Sequence, residues 1–234
     1  MKKLINFVLI FSVILALSMF AIAEPNGVNV SPGTSTRGNA TNPDNDPNAM
    51  AGNVTELTIN GVSTTQAWQG YFGNVSGTIQ LADSSDNVMY NWSLASPAGE
   101  IYSSNASTID WDGIQCYDEA TNLSEFDNMF GVGLGDVDGI NGTFNLNNHP
   151  MFYTNSKQFT AGECKNAKLY DSAGAGTFNE VLLTDGPNLV FTSLLSNDAN
   201  GFDNKPHDFE MLVLENGHGA DTATTTYYFW AELE

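Results

Sequence analysis

After residue 53, apolar and polar positions alternate with a period of two along much of the chain, which predicts strands. Residues 54–59 read Val-Thr-Glu-Leu-Thr-Ile. The run 66–72 is rich in aromatics and ends at the turn pair Gly73-Asn74. Val75, Gly77, Ile79 and Leu81 alternate again up to the turn cluster 83–86. Residues 88–94 then supply a hairpin partner. Shorter candidates stand at 101–102 and 109–111. Four more strands follow, at 168–170, 178–184, 189–195 and 209–214. Asp185-Gly186-Pro187-Asn188 suits a hairpin turn between the second and third of these. Residues 224–233 are a dense run of β-branched and aromatic residues that is apolar on both faces. That run predicts a central, buried closing strand.

The middle of the chain changes period. Ala120, Leu123, Phe126 and Phe130 fall on one helical face within 118–130. Val137, Ile140 and Phe144 do the same within 136–144, with Asp136 placed as an N-cap and Gly139 and Gly142 weakening the helix. The expected fold is therefore mainly β: an antiparallel sandwich-like domain with one or two short helices inserted in the middle.

Three stretches divide the chain. Residues 1–23 begin with Lys2 and Lys3, continue through an apolar run and end in Ala21-Ile22-Ala23. This is the pattern of a cleaved signal peptide. An uncleaved N-terminal anchor is the alternative, and it would be the chain's one contact with a membrane. Both readings place the protein outside the cell, secreted or at the cell surface. Residues 24–52 hold Val28, Val30 and Met50 as their large apolar side chains, too few to offset the entropy of ordering. They read as a flexible polar segment, a stalk or a stretch that orders against a partner. Residues 53–234 form the β-rich domain.

The chain carries 7 basic and 27 acidic residues, a net charge of −20. Loss of residues 1–23 leaves five basic residues against the same 27 acids, a net −22. So negative a surface repels nucleic acid and anionic lipid. The two cysteines, Cys116 and Cys164, read as a disulfide in an exported protein.

Asparagine sequons occur at Asn29, Asn39, Asn53, Asn74, Asn91, Asn105, Asn122 and Asn141. The composition predicts about four by chance, so eight is a two-fold excess that favours glycosylation. All eight precede residue 142, although eleven asparagines follow. This one-sidedness predicts glycans far from the closing strand and a sequon-free side that packs against neighbours.

Catalytic chemistry finds little footing. His149, His207 and His218 lack metal-ligand or nucleophile-base spacing. His207-Asp208 and His218 with Asp221 fit charged turns, and Ser76 sits one place late for a nucleophile elbow. Paired carboxylates cannot be singled out among 27 acids. Asp136, Asp138 and Asn141 place oxygen ligands at alternating positions, as calcium loops do. The remaining ligands of such a loop are missing, and a capped helix accounts for the same residues. No catalytic residue or cofactor is expected, and Ca2+ is the one ion the spacing leaves open. Trp68, Tyr71, Phe72, Trp92 and Trp111 fit either a core or a sugar-stacking platform.

Three blocks carry a resemblance. They are Trp68-Gln69-Gly70-Tyr71-Phe72-Gly73-Asn74-Val75-Ser76-Gly77, Met89-Tyr90-Asn91-Trp92-Ser93, and the closing stretch from Glu215-Asn216-Gly217-His218 through Asp221 to Phe229. Together they resemble a family of exported archaeal surface proteins with no assigned activity. The resemblance spans most of residues 53–234. It implies a cell-surface setting, where exported glycoproteins build pili, threads and surface layers, and it brings no catalytic role. The expected function is an extracellular structural glycoprotein, a filament or envelope-layer subunit whose partners are copies of itself or other surface proteins. A carbohydrate- or surface-binding adhesion module is the alternative, and a secreted hydrolase the third. In the first reading Val28 and Val30 alternate as a donated strand requires.

Overall fold

The computed structural model describes residues 24–38, 48–118, 126–133, 135–215 and 224–234. The signal-peptide reading of 1–23, the sequons Asn39 and Asn122, and the pair His218 and Asp221 lie outside these residues. The protein is mainly β, with antiparallel sheets in a sandwich-like arrangement and two short helical pieces. In chain order the strands are β1 (Asn26–Gly27), β2 (Trp68–Gly73), β3 (Thr78–Ala82), β4 (Val88–Ser93), β5 (Gly99–Ser104), β6 (Gln115–Cys116), β7 (Phe152–Thr154) and β8 (Lys157–Phe159). There follow β9 (Asn166–Tyr170), β10 (Gly176–Thr184), β11 (Leu189–Leu194), β12 (Ala199–Asn200), β13 (Pro206–His207), β14 (Phe209–Leu214) and β15 (Tyr228–Leu233). The helical pieces are α1 (126–130) and α2 (Ile140–Thr143). Among the described residues no helix is long and apolar enough to cross a membrane.

The largest sheet runs β1-β15-β5-β11-β10-β6, with β9 also on β10. Its centre is the β10–β11 hairpin, where Thr184 pairs with Leu189 across the turn that Asp185 and Gly186 mark. Val181-Leu182-Leu183 and Leu189-Val190-Phe191 are buried without interruption. An unbroken apolar run is what a strand covered on both faces needs. One face carries Leu182, Leu189, Phe191, Ile101 and Ala231, packed against β2, β14, α1, α2 and the residues between the helices. The other carries Val181, Leu183, Val190 and Tyr102, covered by Ile109, Trp111, Ile114, Phe152 and Phe159. Ile109 and Trp111 are thus a buried cover rather than part of a strand, with Asp110 exposed between them.

β6 and β9 share the outer edge of β10 end to end. Cys116 pairs with Leu183, and Asn166 pairs with Val181. The Cys116–Cys164 disulfide forms where the two segments meet, with Cα atoms 5.0 Å apart.

Four readings of the chain need correction. Residues 54–59 form no strand, and their side chains face solvent. Asp136 does not cap a helix. It accepts the amide of Gly133 in a turn, and α2 starts later, with Gly139 at its N-cap position. The closing strand β15 is not central. β5 lies on one side and only the two residues of β1 on the other. Of its residues only Ala231 and Glu232 are buried. The sequons are not remote from it either. Asn29 follows Val28, whose amide donates to Phe229 O just past β1, and Asn105 follows β5 just past the Ser104–Tyr228 pair.

Candidate functional site

The β3–β4 hairpin stands apart from both cores. It is a two-stranded sheet of its own, and every residue in it is exposed. Its register sets Ile79 opposite Trp92 and Leu81 opposite Tyr90, while Thr78 faces Ser93 and Gln80 faces Asn91. Because successive side chains alternate between faces, one face is Ile79, Leu81, Tyr90 and Trp92, and the other carries Thr78, Gln80, Asn91 and Ser93 together with the exposed Met89. The rings of Tyr90 and Trp92 lie 4.9 Å apart, and these residues remain 59% and 50% exposed. Asn91, a sequon residue, lies on that second face.

The hairpin is built rather than frayed. At its tip Asp83 Oδ1 accepts the amides of Ser85 and Asn87, and the Asn87 side-chain amide donates to both Asp83 oxygens. These bonds hold the Asp83 carboxyl below its ordinary pKa. Asp86 takes the left-handed conformation the turn requires, with φ 59°. At the root Leu94 donates to Gly77 O, and a Cβ on Gly77 would come within 2.6 Å of Leu233. Neither strand contains a charge or a proline, the devices with which exposed edges are usually protected. On a chain of net charge −20 this is a conspicuously uncharged projection.

A second exposed apolar stretch precedes it. In residues 54–62 Val54 is fully exposed, Ile59 is 85% exposed, and Leu57 and Val62 are also open.

The other candidate residues are dispersed. Asp136 is engaged by Gly133, whereas Asp138 accepts the hydroxyl of Thr65 and, through its carbonyl, the Trp68 indole at 2.5 Å. Among the described residues no group of three or more His, Cys, Asp or Glu side chains is placed to hold a metal ion. His149 is buried, with Nε2 accepting the Cys164 amide and Nδ1 against Pro150 O, which makes it a support for the disulfide. His207 lies 2.8 Å from Asp203, and Asp208 accepts the amides of Val75 and Asp198, a turn-holding role. Trp68 and Tyr71 pack on the core, and Trp111 is buried in it. Of the sequon residues described, Asn29, Asn53, Asn74 and Asn91 are exposed, and Asn105 and Asn141 are half-buried.

The composition did not reveal a buried acid pair. Glu100 and Glu232 face one another across β5 and β15, 5% and 4% exposed. Glu232 Oε2 accepts the Tyr102 hydroxyl and the Asn155 amide. Among the described residues Glu100 Oε2 and Glu232 Oε1 have no hydrogen-bond partner. Desolvation, then the charge of Glu232, pushes Glu100 up to about 9. Desolvation also raises Glu232. The detectable signal was glutamate inside apolar strand sequence, as in Glu100-Ile101-Tyr102. No protein-family model, curated protein or solved structure matches this chain.

Proposed function

We propose that this chain is an extracellular structural glycoprotein, a subunit of a cell-surface filament (pilus or thread) or envelope layer, in an archaeal setting. The observation that carries the reading is the β3–β4 hairpin. It is a preformed, uncharged pair of strands with two open edges and one apolar face, on a chain otherwise strongly negative. Isolated hairpins are marginal in water, and long apolar edges invite pairing with another chain. Interface cores are likewise depleted of charge and enriched in Tyr and Trp. The export pattern of residues 1–23, the sequon excess and the resemblance to exported surface proteins agree with a life outside the cell.

One observation favours a second reading, a carbohydrate-binding adhesion module: Tyr90 and Trp92 form an exposed aromatic pair to which a sugar ring could stack. Negative-stain microscopy and light scattering of the exported protein separate the two. Filaments, sheets or concentration-dependent oligomers are expected. A monodisperse monomer at high concentration that a polysaccharide column retains, with retention lost in Trp92→Ala, would replace the subunit reading by the binding module.

A further inference from the structure

We infer that the β3–β4 hairpin makes a two-fold contact, in which its Ile79, Leu81, Tyr90 and Trp92 face stacks on the same face of a second copy. The inference rests on the subunit reading above and names the partner at that surface. Asp83 holds the tip and the Leu94–Gly77 bond holds the root, so docking need not order the hairpin first. Its edges cannot carry a repeating contact. Hairpins added edge to edge would repeat the molecule every two strands, or roughly 10 Å. A compact chain of this length has a radius of gyration of about 18 Å, so successive bodies would collide. Pairing an edge with its own copy would end the ladder but leave the four apolar side chains in water. Stacking the faces buries them.

Area and charge both favour a second copy as the occupant. At typical side-chain areas, the exposed parts of these four residues amount to on the order of 500 Å2. A two-fold contact uses the same patch on both copies, which doubles this to roughly 1,000 Å2, where specific interfaces begin. A sugar ring would cover Tyr90 and Trp92 and leave Ile79 and Leu81 open. Copies of a chain at −20 repel one another, so they meet most easily where charge is scarce. β3 and β4 carry no charge, and the acids of their turn, Asp83 and Asp86, sit at the tip. With the two-fold axis crossing the strands, the tips point to opposite ends and these acids stay apart. Asn91 lies on the far face, so a glycan there does not block the contact.

Sedimentation of the full exported protein over a concentration series tests this. The smallest oligomer is expected to be a dimer. Leu81→Asp with Trp92→Asp sets four charges into the seam and is expected to weaken the dimer at least about a hundredfold. Met89→Asp adds a charge on the far face of the same strand and is expected to change it by less than about threefold. The hairpin belongs to neither buried core, so both variants should keep the wild-type circular dichroism and the Cys116–Cys164 disulfide. Hydroxyl-radical footprinting of the wild type needs no variant. Tyr90 and Trp92 should become protected as the dimer forms, while Met89 stays reactive. Equal weakening by Met89→Asp, undiminished assembly of the double variant, or Tyr90 and Trp92 still reactive in the assembled protein overturns the inference and leaves the subunit reading in place. A wild-type protein that stays monomeric at every concentration overturns both.

Discussion

The sharpest chemistry in this protein at the scale of single residues is buried acid. Glu180 is fully enclosed between β10 and β14, where Oε2 accepts the Leu212 amide, and desolvation raises it well above its ordinary value. Glu100 is raised to about 9 by desolvation and by Glu232 and Glu234. A carboxyl whose folded pKa exceeds its unfolded pKa stabilises the fold fully below the unfolded value, near 4.5, and loses that contribution as pH climbs towards the folded value. Stability should therefore fall between about pH 5 and 9, by on the order of a few kcal/mol. Self-repulsion of the negative surface acts in the same direction. Glu100→Gln keeps a neutral hydrogen-bonding group beside Glu232. It should flatten the curve and raise the melting temperature at pH 8–9 more than at pH 5. Thermal melts across that range check it, and a wild-type protein most stable at pH 9 would refute the buried-acid account. The sequence offered only a glutamate beside apolar strand residues, as in Glu100-Ile101-Tyr102; the pairing was not legible, because 27 acids look alike until the fold sets Glu100 opposite Glu232.

Individual elements were legible where local pattern and tertiary demand agreed. β10, β11 and their turn follow from two apolar runs flanking Asp185-Gly186, and β3 and β4 from alternation around Asp83. Residues 54–59 have the same alternation and no strand: their apolar side chains stay exposed, so the pattern has no burial behind it. The β7–β8 hairpin escaped notice because its strands are three residues long. Its turn was encoded all the same, in Asn155 at φ 52°. Asp136 looked like a helix cap because Asp is favoured there, but its carboxylate serves Gly133 instead. Cys116 and Cys164 were correctly paired from export context alone. Their bond, with a sequence separation of 48, ties together the two segments that share the edge of β10. Loop-closure entropy puts its contribution at about 4 kcal/mol. Cys116→Ser with Cys164→Ser should lower the melting temperature by roughly 8–16 °C at the scaling for chains of this size. The losses should concentrate in amide-exchange protection of β6 and β9 rather than of β11. Uniform loss across the sheet would mean that the bond acts on the whole fold rather than on that edge.

The whole molecule is a sheet covered on both faces, with its less protected margin at β15. Residues 26–28 pair with that strand, so part of the polar N-terminal segment is a short edge cover within its own chain. The cover is thin. Val28 and Val30 remain 40% and 49% exposed, and no residue of 24–38 or 48–52 belongs to either core. Two ladder positions and a buried Pro25 should contribute about 1 kcal/mol. Removing residues 24–38 from the exported protein should then lower the melting temperature by only about 2–4 °C. It should also bare the edge of β15 and increase non-specific association. The same deletion separates two routes to assembly. If Val28 and Val30 were the donated strand, ordered assembly would disappear with them. If assembly runs through the exposed β3–β4 hairpin instead, ordered assembly survives the deletion, with disordered aggregates from the opened β15 edge alongside it. Microscopy of the truncated protein, with size-exclusion chromatography to count the soluble species, decides between them. Complete loss of ordered assembly in a truncated protein that still melts within a few degrees of wild type would return the donor role to residues 24–38.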